Sequence, residues 1–177
     1  MAVRKSETTY RIFRAAGGYA FLVAGTRGLK RSGLPRSTRA AALAIIEAEF
    51  PGAVQDNSLM PELVDNLRAF YRGEDVPLKA RLDMSDLPAF SAQVYKALRR
   101  VRRGRVVTYG ELAALCGSAG AARGVGGAMR RNPFPPLVPC HRVVGSNGAL
   151  TGFSSEGGVD LKRRMLAAEG CDMERLG

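Results

Sequence analysis

The sequence predicts an α+β protein of two lobes, a small N-terminal lobe of strands and helices followed by a mainly helical one. Three observations carry this. Residues 8–34 join β-branched and aromatic runs through glycine turns, later segments show helical apolar spacing, and Ser85-Asp86-Leu87-Pro88 supplies turn chemistry between them. At 177 residues the chain suits one generous domain or two small ones, since domains usually run to roughly 100–150 residues. The boundary falls at that turn, giving lobes 1–84 and 85–177.

TTYRIFRAA and YAFLVAG, separated by Gly17-Gly18, read as strands of a meander. STRAAALAIIEAEF follows as a helix with Ser37 as candidate cap and a stop at Pro51-Gly52, and LMPELVDNLRAFYRG repeats the pattern as far as Gly73. PLKARLDM reads as a short strand. Beyond the boundary AFSAQVYKALRRV is an amphipathic helix, and Gly104 with VVT forms an extended link. YGELAALCG starts behind Thr108 as N-cap, with Glu111 at capping-box spacing. A turn at Gly117–Gly120 leads into AARGVGGAMRRN. Helix, short turn and helix have the form of a helix-turn-helix, and equally of a plain packing unit.

The last of these helices carries Gly124, Gly126 and Gly127, each costing about 1 kcal/mol relative to alanine. Small residues let a helix approach another backbone closely, either inside the protein or against a nucleic-acid strand. With Ala121, Ala122 and Ala128 they make a slim helix from which Arg123 and Met129 are expected to protrude, a shape suited to the narrow minor groove.

Composition narrows the partner. There are 27 Lys+Arg against 16 Asp+Glu, a net +11, and the run Arg99, Arg100, Arg102, Arg103 and Arg105 and the pair Arg130, Arg131 flank the motif-rich region. A polyanion is the natural partner, although a basic surface also serves plain solubility. No apolar stretch of about 18 residues or signal core is present, so a cytoplasmic protein with no membrane partner is expected. Three cysteines, an odd count, argue for reduced thiols, with Cys116 and Cys171 read as buried packing residues. A single histidine argues against a Cys/His zinc site. No metal and no cofactor are expected.

The chemistry concentrates in NPFPPLVPCHRVV. Prolines 133, 135, 136 and 139 stiffen the approach to Cys140, whose neighbours are the only histidine, His141, and Arg142. A thiol with an ordinary pKa near 8.5 needs a base or a positive charge beside it to act as a nucleophile at neutral pH. In an extended segment successive side chains point to opposite faces, so His141 would need a turn or a bridging water to reach Cys140, and an acceptor such as Glu169 to orient it. On spacing alone Cys140 reads first as a small core residue.

The run TYGELAALCGSAGAARGVGGAMRRNPFPPLVPCHRVVGSNGALTGF, with the later LKRRMLAAEG, closely resembles the O6-alkylguanine-DNA alkyltransferases, the methylated-DNA–protein-cysteine methyltransferases, over residues 87–171. The resemblance implies an N-terminal RNase H-like lobe with a three-stranded antiparallel sheet, followed by a winged-helix-type domain with a helix-turn-helix. It implies single-use transfer of the alkyl group from O6-alkylguanine, and from O4-alkylthymine, in double-stranded DNA onto Cys140 of a monomeric protein. By position, His141 would deprotonate Cys140 through a water, in a relay held by Glu169, and Asn132 would brace the active-site turn. Tyr109 would help rotate the nucleotide and donate a proton, and Arg123 would fill the gap left by the flipped base. Thr108, Ala122, Gly126, Met129 and Arg130 would flank the DNA contact, while Val143, Val144, Phe153 and Ser154 would line the pocket. Phe153 stands where many relatives have Tyr, and the loop after it is slightly longer than in some of them. The rival reading, an alkyltransferase-like protein that binds the lesion without transfer, lacks the cysteine that this chain has.

Overall fold

The computed structural model describes residues 8–177. They form two compact units: the chain up to Arg72 together with Val76–Asp83, and Met84–Gly177 together with Gly73–Asp75.

In the first unit β1 (Thr9–Ala15), β2 (Gly18–Gly25) and β3 (Gly28–Arg36) form the antiparallel meander, with pairs such as Ile12 with Phe21 and Leu22 with Ser32. The sheet has four strands, not three. After α1 (Arg39–Glu49), a two-residue β4 (Val54–Gln55) runs parallel to Thr9 and Tyr10 at the edge, giving the order β3-β2-β1-β4. Period-two alternation sends Tyr10 and Ile12 to the face where Phe21 and Val23 meet Ala42 and Ile46 of α1. Phe13 points the other way, under the Arg68 guanidinium of α2 (Pro61–Tyr71), 5.8 Å from the ring centroid.

Two details differ from the sequence reading. The cap of α1 is Thr38, whose side chain accepts from Ala41 N at 3.1 Å, because Thr38 is the residue held in extended geometry. PLKARLDM contributes one bridge, Leu82 beside Leu29, rather than a strand, since it meets only the start of edge strand β3.

In the second unit α3 (Ala89–Leu98) buries Val94, Tyr95 and Leu98. Tyr95 is tied through its hydroxyl to Ala128 O at 2.7 Å, and Phe134 packs edge-on to its ring. β5 (Val107–Thr108) leads directly into α4 (Tyr109–Leu115). The capping box is complete: Thr108 Oγ1 accepts from Glu111 N at 3.1 Å and Thr108 N donates to Glu111 Oε2 at 2.7 Å. α5 (Ala122–Arg130) follows the glycine turn. A 3₁₀ turn at Cys140–Arg142, β6 (Val143–Val144) paired parallel to β5, and α6 (Gly158–Ala168) complete the unit. α6 packs Leu166 with Val144, Leu150 and Leu176, with Cys171 half-buried against them, while Cys116 is buried as expected. No described helix is long and apolar enough to cross a membrane.

Candidate active site and nucleic-acid interface

The β5–β6 ladder places the site. Thr108 pairs with Val144 and Val107 with Val143, so the start of α4, carrying Tyr109, lies beside the segment that has just left Cys140. Cys140 is held from the other side by the proline-rich approach. Asn132, buried, accepts from Phe134 N and donates to Val138 O, both at 2.9 Å, and its side chain also hydrogen-bonds the thiol. Cys140 N donates to Val138 O at 2.8 Å, and the chain then bends into the 3₁₀ turn. That turn provides the change of direction an extended segment lacks.

α6 supplies the charged groups. Its inward face, Met165 and Leu166, continues one turn in each direction to Lys162 and to Glu169 at the C-cap, seven residues apart and so on one face. Glu169 is buried and its Oε1 stands 2.7 Å from His141 Nε2. Arg142 grips the same carboxylate, Nε to Oε2 and Nη2 to Oε1, each at 2.8 Å. Burial alone would raise the Glu169 carboxyl, but the hydrogen bonds and charges of His141 and Arg142 outweigh it and hold the group at about 2. Glu169 is therefore ionised at neutral pH.

Burial is also the largest influence on His141, pushing its pKa down against the pull of Glu169, and the charges of Arg142 and Lys162 push it further. The imidazole is thus neutral, and facing a carboxylate at Nε2 it must carry its proton there. Nδ1 then bears the lone pair, the atom through which the ring can take a proton. Burial raises the Cys140 thiol above its ordinary range, opposed by the Asn132 hydrogen bond, the charge of Lys162 and the amides of Cys140 and His141. The resting site holds a thiol, a neutral imidazole and a carboxylate. Such a set can pass one proton from sulfur toward the imidazole, leaving a thiolate in a field of donors.

Lys162, which the sequence reading passed over, is buried at 1% exposure, with Nζ donating to Val143 O at 2.6 Å and Thr151 O at 2.9 Å. Burial brings its pKa down to about 8, while the charge of Cys140 works the other way. The signal was present in LKRRMLAAE: extending the Met165–Leu166 stripe by one turn lands on Lys162.

The residues expected to line a pocket separate by exposure. Tyr109 is half-buried, its hydroxyl donating to Thr151 O at 3.3 Å. Val143 and Val144 are buried β6 residues, and the Val143 carbonyl already accepts from Lys162. Any recognition there falls to backbone atoms. Phe153 is half-buried and Ser154 exposed.

On α5 the outward stripe is Arg123, Gly126, Gly127 and Arg130, and the inward one Val125, Ala128 and Met129. Met129 therefore does not protrude as expected; at 6% exposure it lies one turn from Val125 on the packed face. Gly124 is exposed but passes close to the half-buried Phe90, where a Cβ would stand 3.1 Å from the ring. Gly126 looks toward the ring of Tyr109. Ala122 is half-buried at the helix start, and Thr108 is committed to its cap. Arg103 is also drawn inward, donating to the carbonyls of Gly73, Glu74 and Ala168.

Comparison with known proteins finds similarity to one family. The family model for the 6-O-methylguanine DNA methyltransferase DNA binding domain matches residues 89–171. A methylated-DNA–protein-cysteine methyltransferase of Methanosarcina acetivorans is 34% identical over 91% of this chain and 97% of its own length. The Homo sapiens methylated-DNA–protein-cysteine methyltransferase is 52% identical over 90 residues, half of this chain and 41% of its own. Among solved structures, Mycobacterium tuberculosis OGT in complex with DNA superposes with a TM-score of 0.74 at 33% identity, covering 95% of this chain and 94% of that one.

Proposed function

Because the chain belongs to the methylated-DNA–protein-cysteine methyltransferase family, we propose that it repairs DNA by taking the alkyl group of O6-alkylguanine, and of O4-alkylthymine, onto Cys140 in a single, self-inactivating event. The observation that carries this reading is the series of half-buried Cys140 with buried His141 and Glu169, a thiol beside a neutral base that rests on an ionised carboxylate.

The alkylated oxygen lies on a base edge screened by stacking, so the nucleotide must be extruded from the duplex at a cost of a few kcal/mol. In this reading α4 and α5 act as the helix-turn-helix of a winged-helix-type domain, and the first unit is its RNase H-like lobe. The slim outward stripe of α5 enters the minor groove, Arg123 fills the vacancy, and Ala122, Gly126, Thr108 and Arg130 flank the backbone. The flipped base reaches Cys140 past Tyr109, with Val143, Val144, Phe153 and Ser154 around it.

The thiol proton passes through a water to His141 Nδ1, and the imidazolium rests on Glu169. Asn132 and the amides at the turn steady the thiolate. Sulfur forms its bond to the alkyl carbon as the C–O6 bond breaks, and the electron pair enters the guanine ring, which Tyr109 relieves by giving up its phenolic proton. The tyrosinate recovers a proton from solvent and His141 releases one, so the balance is thiol plus alkylguanine to thioether plus guanine. A thioether is not hydrolysed under these conditions, so the monomer is used once.

The test is stoichiometry. With O6-methylguanine duplex in excess, repaired guanine should plateau at one per protein molecule, and Cys140→Ser should bind the duplex while repairing none. Continued turnover would contradict the reading.

A further inference from the structure

We infer that Arg142 is a positioning residue of the proton relay, a clamp that fixes the Glu169 carboxylate against the segment following α3 and balances its charge. The inference rests on the alkyl-transfer reading for its consequence, but on geometry for its content. Arg142 spends its guanidinium on three acceptors at once, both Glu169 oxygens at 2.8 Å and Val101 O at 2.6 Å. Only a planar fork can span that set. Its side chain is 13% exposed, so it is withdrawn from any phosphate.

The segment around Val101 is built to receive this contact. Gly104 has φ +73, and a Cβ there would stand 3.1 Å from the Glu169 carbonyl oxygen. Arg103 Nη2 donates at 2.6 Å to Ala168 O, the last carbonyl of α6 before Glu169. Part of the basic run that in sequence suggests a DNA-facing flank thus holds the C-terminus of α6 in place, and with it the carboxylate on which His141 rests.

The electrostatic consequence has a definite sign. The charged groups facing the His141–Glu169 pair are Arg142 from the turn and Lys162 from α6. Cys140 and Cys171 are the titratable neighbours, and Arg103 acts on Cys171. A lone buried carboxylate beside an imidazole draws a proton onto the ring. Arg142 opposes that by neutralising Glu169, so His141 stays unprotonated and able to accept from Cys140. Without Arg142 the ring loses one of the charges that oppose its protonation, alongside burial and Lys162, and its pKa moves up, toward a base already occupied.

His141 is the only histidine of the chain, so its ring resonances can be followed by NMR without ambiguity and without substrate. In Arg142→Met the His141 titration midpoint should rise by about one pH unit or more, and the pH below which methyl transfer fades should rise with it. Arg142→Lys keeps the cation but not the fork; its midpoint should stay near that of the wild type while transfer slows by about tenfold. An unchanged midpoint in Arg142→Met, or slower transfer with no shift of the pH limb, would overturn the clamp. Should Arg142→Met fail to fold by circular dichroism, Arg142→Lys decides: slowed transfer supports the clamp and a wild-type rate refutes it. A wild-type protein that shows this His141 titration yet transfers no methyl would instead sink the alkyl-transfer reading alone.

Discussion

Replacing Glu169 by Gln changes one atom type and separates charge from shape. The carboxylate accepts from His141 on one side and from Arg142 on both oxygens. An amide of the same outline has one acceptor and one donor. If its oxygen stays on His141, its NH2 group must face the guanidinium, donor against donor, and Arg142 loses its counter-charge. Breaking a buried pair in this way costs about 3–5 kcal/mol. The pKa gives a second route to the magnitude: a carboxyl held at about 2 against an ordinary 4.5 corresponds to on the order of 3 kcal/mol at roughly 1.4 kcal/mol per unit. The sign follows from a depressed acid. The stabilisation is complete above the unfolded value and is lost as pH falls through the folded one. Urea unfolding should therefore show Glu169→Gln weaker by about 3 kcal/mol at pH 7, with the gap closing as pH drops from about 4.5 toward 2. Transfer should suffer separately, because the ring loses the acceptor that fixes its tautomer; the equivalent loss in a hydrolase triad costs about 10⁴. Single-turnover rates reduced by about 10³–10⁴ are expected. A variant within about 1 kcal/mol of wild type, transferring within about tenfold of its rate, would refute the relay.

Two further outcomes are expected. Arg123→Ala should slow transfer from duplex DNA by about tenfold if the side chain offsets even ~1.4 kcal/mol of the extrusion cost. Transfer from free O6-methylguanine base, which needs no extrusion, should be unchanged, and an equal loss on both substrates would place Arg123 elsewhere in the mechanism. Thr108→Ala removes one arm of the α4 capping box and should cost about 1 kcal/mol, a melting shift of roughly 2–4 °C by calorimetry; no shift would mean that β5 pairing alone sets the helix start.

Much of the fold was legible because local patterns agreed with one another. β1, β2, α1 to α5 and the Thr108–Glu111 box follow from alternation, apolar spacing and capping chemistry, whereas β3 was implied only by resemblance and α6 was not read as a helix. β4 was not readable, since two residues cannot display a period and its pairing with Thr9 and Tyr10 is a tertiary event. Met129 shows the same limit from the other side. A slim helix invites the thought that every large side chain stands out from it, yet helical phase sets Met129 with Val125 in the core. At the site, the tripeptide Cys140-His141-Arg142 was visible as chemistry but not as geometry. Linear order puts Arg142 beside the thiol as an activating charge; the 3₁₀ turn sends it to Glu169 instead, and leaves Lys162, distant in sequence, as the cation acting on Cys140. The acceptor role of Cys140 itself came from resemblance, since a thiol among prolines is also what a buried packing residue looks like.

In the proposed reaction Cys140 is consumed as a reactant. The most direct measurement is peptide mass spectrometry of the protein after reaction with duplex DNA carrying O6-methylguanine. The peptide containing Cys140 alone should gain one methyl in place of the thiol hydrogen, in step with loss of the lesion, while Cys116 and Cys171 stay unmodified. Lesion loss with an unmodified Cys140, or a methyl on another residue, would contradict it.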